Sequence, residues 1–256
     1  KYKEARKLLE ELIKENWDDE EVYETLIMLF AETNKIIYLP SFLGKIRTDK
    51  TEKSQVFLMA AEALSQRASG EDWEGEQKSS FIGRFVQKMR EKTKQITLFG
   101  VIIDLYESSI RQNPLNKNAP IGLAGFYESV NLEEDAKKVL KSSLEKEWDF
   151  ITAYQLAQIH MGGGNDPIEE AAEINKAIKL LDACLNEKPD DTHLMLLKAI
   201  AFTHRMRFTQ AETILRKVLT ENPYEKEAHF RYGQLLNKRK RYEEAIEIME
   251  EGMEIH

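Results

Sequence analysis

The chain has 256 residues, of which 42% are hydrophobic and 32% are charged, a composition typical of a folded protein. Its net charge is −8 and acidic and basic residues are interleaved along most of the sequence. Nucleic acid is excluded as the main partner because phosphate binding needs a clustered positive face. The single cysteine, Cys184, excludes internal disulfides and cysteine-based zinc clusters, and no apolar run approaches the roughly 18 residues needed to cross a bilayer.

Helical patterning begins with the first residues and continues through the N-terminal half. Apolar residues at helical spacing open the chain, at Leu8, Leu9, Leu12 and Ile13. Further helices are predicted at about residues 19–32, 52–67, 77–92 and 96–111. The apolar stretch at 36–44 is expected to be broken by Pro40.

The C-terminal half repeats itself, starting with helices predicted at about residues 118–129 and 132–147. A small residue and an alanine lie twelve residues apart in three places, at Ala124 and Ala136, at Ala199 and Ala211, and at Gly233 and Ala245. A second set of marks steps by 34 residues, at Ala177, Ala211 and Ala245 and at Pro189 and Pro223. Coincidence at several offsets indicates internal repeats.

A 34-residue period of paired helices resembles the tetratricopeptide repeat. The resemblance implies an all-α fold, a right-handed α-solenoid of antiparallel helix pairs whose neighbours must stack to bury their apolar faces. Residues 113–256 are interpreted as four such units, at 117–149, 150–191, 192–225 and 226–256. Residues 1–112 are interpreted as degenerate repeats that continue a longer array. The alternative is a separate helical domain with a boundary near residues 70–76.

The second unit departs from the common spacing, because Ala157 and Ala177 are twenty residues apart instead of twelve. The excess lies at residues 161–168, where three consecutive glycines cannot stay helical at reasonable cost. Asp166-Pro167 is a helix-start signal, with aspartate as the cap and proline in the first turn. The sequence therefore predicts a flexible, enlarged loop between the two helices of this unit.

The sequence contains no constellation of catalytic, cofactor-binding or metal-binding residues. Gly44-Lys45 lacks the upstream glycine and the following Ser or Thr of a phosphate loop. The five histidines do not have the close spacing of metal ligands. Cys184 is expected to be a buried structural thiol. The chain is therefore predicted not to be an enzyme and to bind no cofactor.

The resemblance also implies a binding site, because the first helix of each unit lines a concave groove in tetratricopeptide arrays. Equivalent positions in the four units are expected to form an apolar stripe, at Ile121, Tyr154, Leu196 and Phe230. Neighbouring side chains complete the expected groove, at Glu128, Gln155, Gln158, Ile200, Arg231, Gln234 and Asn237. Such a surface suits an amphipathic helix or an extended peptide, anchored by apolar side chains and oriented by polar ones.

The sequence thus favours a non-catalytic scaffold or adaptor that binds a protein or peptide in this groove, within a multi-protein assembly. The alternative is a regulatory or substrate-recruiting helical part of a larger enzyme. Homo-oligomerisation also stays open, because an array without polar terminal caps exposes apolar helix faces and the chain closes with Met249, Met253 and Ile255. No signal-peptide pattern is present, and a cytoplasmic location is favoured.

Overall fold

The computed structural model describes residues 2–15, 18–33, 35–46, 50–69, 92–162 and 166–254. Within these ranges the chain is built from α-helices, one turn of 3-10 helix and short connections, without strands. The predicted all-α fold of helix pairs is confirmed. The chain divides into two compact units, Lys1–Glu147 and Trp148–His256. The helix predicted at 77–92 and the alternative boundary at 70–76 lie outside the described residues.

The described part of the N-terminal unit holds seven α-helices that pack largely in chain order. They are α1 (Tyr2–Glu15), α2 (Glu20–Glu32), α3 (Leu39–Gly44), α4 (Lys50–Ser69), α5 (Lys92–Gln112), α6 (Asn118–Ser129) and α7 (Glu133–Lys146). The long helices α2, α4, α5, α6 and α7 each contact the next one in this series. Large apolar side chains are fully buried between them, among them Tyr23, Leu26, Phe30, Ile102 and Leu105.

Pro40 begins a helix instead of ending one. Ile36–Tyr38 forms one turn of 3-10 helix, and α3 follows directly with Pro40 in its first turn. Proline is tolerated there because the backbone N–H that it lacks has no helical acceptor at that position. The apolar stretch is therefore helical on both sides of the join, and Leu39, Phe42 and Leu43 are buried.

Two serines mark a close approach of α4 and α5. The Ser109 hydroxyl donates to the carbonyl oxygen of Ser54 over 2.8 Å, and the Ser54 hydroxyl lies 3.0 Å from the carbonyl oxygen of Ser109. Asn116 Nδ2 donates to the Ser54 hydroxyl over 2.9 Å. All three side chains are buried. They satisfy one another's hydrogen bonds, as buried polar groups must.

The described part of the C-terminal unit consists of three helix pairs. These are α8 (Phe150–Met161) with α9 (Pro167–Glu187), α10 (Thr192–His204) with α11 (Phe208–Glu221), and α12 (Lys226–Lys238) with α13 (Tyr242–Met253). Aspartate side chains cap α8, α9 and α10 by accepting from first-turn N–H groups, at Asp149, Asp166 and Asp191. Each pair falls within one of the ranges predicted for the repeat units.

Consecutive pairs stack through the second helix of one pair and the first helix of the next. Helix α9 packs on α10, and α11 packs on α12. One apolar cluster runs through these helices and includes Ile178, Leu196, Phe202, Leu215 and Tyr232. Because each pair buries its apolar faces against its neighbours, the stacking order follows the chain.

The turn inside a pair has the same backbone conformation in three pairs. Asn131, Met206 and Lys240 have positive φ angles of 60°, 54° and 61°. Each lies five residues before the first buried alanine of the second helix. The left-handed conformation is costly for a residue with a Cβ atom, so these turns store a small strain.

The extra residues of the second repeat unit lie in a helix as well as in a turn. Helix α9 has 21 residues, whereas α11 has 14 and α13 has 12. Its first turns are held against α8 by a buried contact, in which His160 Nδ1 lies 2.6 Å from Glu173 Oε2. The expected loop is thus shorter than predicted, since it is limited to residues 162–166, of which 163–165 lie outside the described residues.

Candidate functional site

The first helices of the three C-terminal pairs, α8, α10 and α12, are neighbours. Helix α10 packs against α12, and α8 reaches α10 through Tyr154, whose hydroxyl lies 2.5 Å from His193 Nε2. The residues at equivalent places on these helices define what we name the first-helix face: Ile151, Tyr154, Gln155, Gln158, His193, Leu196, Ile200, Thr203, Phe230, Arg231, Gln234 and Asn237.

Tyr154 organises a polar cluster at the α8 side of the first-helix face. Gln158 Nε2 donates to the Tyr154 hydroxyl over 2.9 Å, and the tyrosine and His193 rings are 5.8 Å apart. Burial raises the pKa of Tyr154, and the carboxylate of Asp191 raises it further. The phenol therefore stays protonated at neutral pH. The exposed Gln158 amide and His193 imidazole lie beside it and are accessible to a ligand.

Helix α12 presents an apolar ring framed by polar groups. The Phe230 side chain is 48% exposed, and the Arg231 guanidinium lies 5.5 Å from its ring centroid. Arg231 Nε donates to Glu227 over 2.6 Å, and its Nη1 donates to Gln234 Oε1 over 3.2 Å. The guanidinium is thus held in place next to the exposed ring, with the exposed Asn237 further along the helix.

The apolar stripe expected from the sequence is interrupted at its centre. Leu196 is only 4% exposed and belongs to the apolar core cluster, so it presents no surface to a partner. The physical reason is that α10 is covered by α9, α11 and α12 together, which leaves less of its circumference open. Of the predicted α10 residues, the partly exposed Ile200 reaches the surface instead.

Three predicted groove residues lie in the N-terminal unit. Ile121, Gly125 and Glu128 are on α6, where Ile121 and Gly125 are partly exposed and Glu128 is exposed. The structure therefore brings together the predicted residues of α8, α10 and α12, and the extension of the stripe to Ile121 stays a prediction.

Two exposed members of the first-helix face were missed by the sequence reasoning. Ile151 is 58% exposed, and His193 is exposed and bonded to Tyr154. They occupy equivalent positions, three residues before Tyr154 and three before Leu196. The signal that finds them is the same repeat offset that links Tyr154 to Leu196.

The chemistry available on this face is that of non-covalent binding. Apolar rings, amides, one guanidinium and one imidazole are suited to holding a polypeptide segment. Cys184 lies elsewhere, fully buried as predicted, and burial raises the pKa of its thiol to about 11, so it is not a thiolate nucleophile. Within the described residues there is neither a group of three metal-binding side chains nor a helix long and apolar enough to cross a membrane.

Comparison with known proteins agrees with the repeat architecture. The family model described as tetratricopeptide repeat matches residues 205–256. No curated protein matches the chain. Among solved structures, the chain is similar to MamA, residues 41 to the end, from Desulfovibrio magneticus RS-1, with a TM-score of 0.53 and 13% identity over 76% of this chain and 94% of that one.

Two further solved structures share the fold. One is YrrB, described as a TPR protein with an unusual peptide-binding site, with a TM-score of 0.51 and 14% identity over 77% of this chain and 94% of that one. The other is a crystal structure of MamA with a TM-score of 0.51 and 18% identity over 65% of this chain and 91% of that one. The sequence of residues 205–256 and the fold of the chain are therefore both those of tetratricopeptide repeat proteins.

Proposed function

We propose that the chain is a protein-interaction scaffold that binds a segment of a partner protein on the first-helix face. The observation that carries this proposal is the half-exposed Phe230 ring with a guanidinium fixed beside it. An exposed aromatic side chain next to an arginine is the combination most often found at the energetic centre of protein interfaces. The described peptide-binding site of YrrB, a protein of the same fold, is consistent with it.

The distribution of groups on the face suits a polypeptide better than a small molecule. Ile151 and Phe230 are exposed apolar side chains on the outer two first helices, α8 and α12. A ligand that contacts both must cross α10 and therefore span three helices, each about 10 Å wide. An amphipathic helix or an extended segment has that length.

Hydrogen-bonding groups on the face are already oriented before a ligand arrives. Tyr154 is held by Gln158 and His193, and Arg231 is held by Glu227 and Gln234. Side chains that are fixed in advance lose less conformational entropy on binding. They also leave free donors and acceptors, such as the Asn237 amide, to meet the backbone of a bound segment.

The test is selection of peptides of about 16 residues from a displayed library on the immobilised chain, followed by fluorescence anisotropy in solution. We expect Phe230→Glu to weaken binding of the selected peptides at least tenfold, which corresponds to about 1.4 kcal/mol. The matched control is Tyr224→Glu, because Tyr224 is 77% exposed and lies in the turn before α12. Circular dichroism establishes that both variants stay folded.

Equal affinity of the selected peptides for wild type, Phe230→Glu and Ile151→Glu would move the binding site away from this face. Failure to select any peptide above a scrambled-sequence background would contradict the proposal as a whole.

A further inference from the structure

The outer surface of α13 repeats a surface that is covered in the two preceding pairs. At a step of 34 residues, three positions recur on α9, α11 and α13. They are Ile174, Phe208 and Tyr242, then Ile178, Glu212 and Ile246, and finally Leu185, Leu219 and Met253. In α9 and α11 these positions face the next helix pair.

Exposure separates α13 from its two equivalents. Ile178 is 7% exposed and belongs to the apolar core cluster, whereas Ile246 is 58% exposed. Leu185 and Leu219 are partly buried against the same cluster, whereas Met253 is 72% exposed. Tyr242 is 54% exposed. The same register thus yields a covered surface twice and, among the described residues, an open one on α13.

The covered surfaces show which chemistry fits them. On α9, Asp182 Oδ1 lies 2.5 Å from Lys198 Nζ of α10. On α11, Glu212 is paired with Arg239 and Arg241 of the following pair. At both junctions, therefore, the second helix supplies a carboxylate and the element that covers it supplies a cation.

Helix α13 has the acidic half of this arrangement without the basic half. Its sequence contains five glutamates and no lysine or arginine. Glu250 occupies the position that Asp182 has on α9. Glu243, Glu247 and Glu250 are exposed, and no described basic side chain pairs with them. An apolar stripe flanked by unpaired carboxylates attracts a helix that carries both apolar and basic side chains.

We propose that the α13 surface formed by Tyr242, Ile246, Glu250 and Met253 docks a basic amphipathic helix of a partner protein. The helix takes the place that α10 has on α9, with a lysine or arginine directed at Glu250. This surface is separate from the first-helix face, so the two proposals stand or fall independently.

Charge argues for a basic partner over a second copy of the chain. Helix α1 also has an exposed apolar residue, Leu8, which is 58% exposed. It carries four basic and four acidic residues, however, in the sequence YKEARKLLEELIKE. A helix with balanced charge gains little from the carboxylates of α13.

The probe is a fluorescein-labelled peptide of residues 190–207, because this segment contains α10, which covers the equivalent surface of α9. Its binding to the full chain is measured by fluorescence anisotropy at low salt. We expect saturable binding that Ile246→Glu weakens at least tenfold. Glu250→Lys should also weaken it, and a peptide with Lys198→Glu should regain affinity for the Glu250→Lys chain.

The matched control is Glu247→Lys, which changes the net charge by the same amount. Its equivalents, Lys179 and Thr213, are exposed in the preceding pairs, so position 247 faces away from the docking surface. Absence of saturable binding, unchanged binding to Ile246→Glu, or equal effects of Glu247→Lys and Glu250→Lys would each overturn the proposal. Sedimentation velocity provides a further test, because self-association of the chain that Ile246→Glu abolishes would assign this surface to a second copy.

Discussion

Glu212 of α11 accepts a hydrogen bond from Arg241, the residue that precedes α13, with 3.0 Å between Nη1 and Oε1. The Tyr232 hydroxyl of α12 donates to the same carboxylate over 3.0 Å, and Arg216 and Arg239 donate as well. Burial alone would raise the pKa of Glu212. The hydrogen bonds from Arg241, Tyr232 and Arg216 outweigh it and hold the pKa below its usual 4.5. A single carboxylate thus joins two helix pairs.

Replacement of Glu212 by glutamine should weaken this junction. We expect the free energy of unfolding, measured by urea denaturation at neutral pH, to fall by about 1–2 kcal/mol, because charged hydrogen bonds are replaced by neutral ones. Since the pKa of Glu212 is lowered by folding, its contribution is present above the unfolded pKa and is lost as the pH falls through the folded pKa. The difference between wild type and variant should therefore shrink below about pH 4.5. A difference that is unchanged in acid, or equally large for the exposed control Glu247→Gln, would contradict this account.

Met206→Gly should stabilise the chain. Met206 has a φ of 54° and its side chain is 78% exposed, so glycine removes left-handed strain without removing packing. We expect a gain of about 0.5–1 kcal/mol, measured by thermal denaturation. The control is Gln210→Gly, an exposed position inside α11, where glycine should cost about 0.5–1 kcal/mol. Loss of stability in both variants would show that the turn is not strained.

Cys184 should be unreactive in the folded chain. Its side chain is fully buried, and burial raises the pKa of the thiol to about 11. We expect no alkylation by iodoacetamide at about pH 8, and rapid alkylation in urea, with mass spectrometry as the readout. A Thr213→Cys chain is the control, because position 213 is exposed on α11 and should be labelled without urea. Equal labelling of both thiols in the native chain would exclude a stably buried Cys184.

The serine pair between α4 and α5 should be energetically coupled. Ser109→Ala removes the donor to the Ser54 carbonyl oxygen, and we expect a loss of about 1–3 kcal/mol in unfolding free energy. Ser54→Ala should cost a similar amount, and the double variant should lose less than the sum, because the two residues share the same hydrogen bonds. Urea denaturation of the three variants, with the exposed Ser142→Ala as control, gives the coupling. Strict additivity would argue against a shared network.

Much of the helical architecture was predictable because its signals are local. Asp166-Pro167 marked the start of α9, and the helix begins at Pro167 with Asp166 as its cap. The helix predicted at 118–129 is α6 with the same bounds. Pro40 was misleading because proline both ends and begins helices, and the choice depended on the 3-10 turn before it.

The candidate site was predictable only in outline. Tyr154, Leu196 and Phe230 are equivalent in the repeat, yet Leu196 is 4% exposed and Phe230 is 48% exposed. Exposure depends on how many helices cover a position, and that number differs between the middle and the end of the stack. The bond between Tyr154 and His193 joins residues 39 positions apart, a separation at which single-sequence patterns carry no information.

The lengthened α9 shows how this architecture accommodates insertions. Ala157 and Ala177 are eight residues further apart than the corresponding pair in the next unit, yet Ala177, Ala211 and Ala245 keep their 34-residue step. A change of length inside a pair therefore leaves the register between later pairs intact. The connection between Met161 and Pro167 is accordingly the place where an inserted reporter sequence should leave α10 to α13 undisturbed.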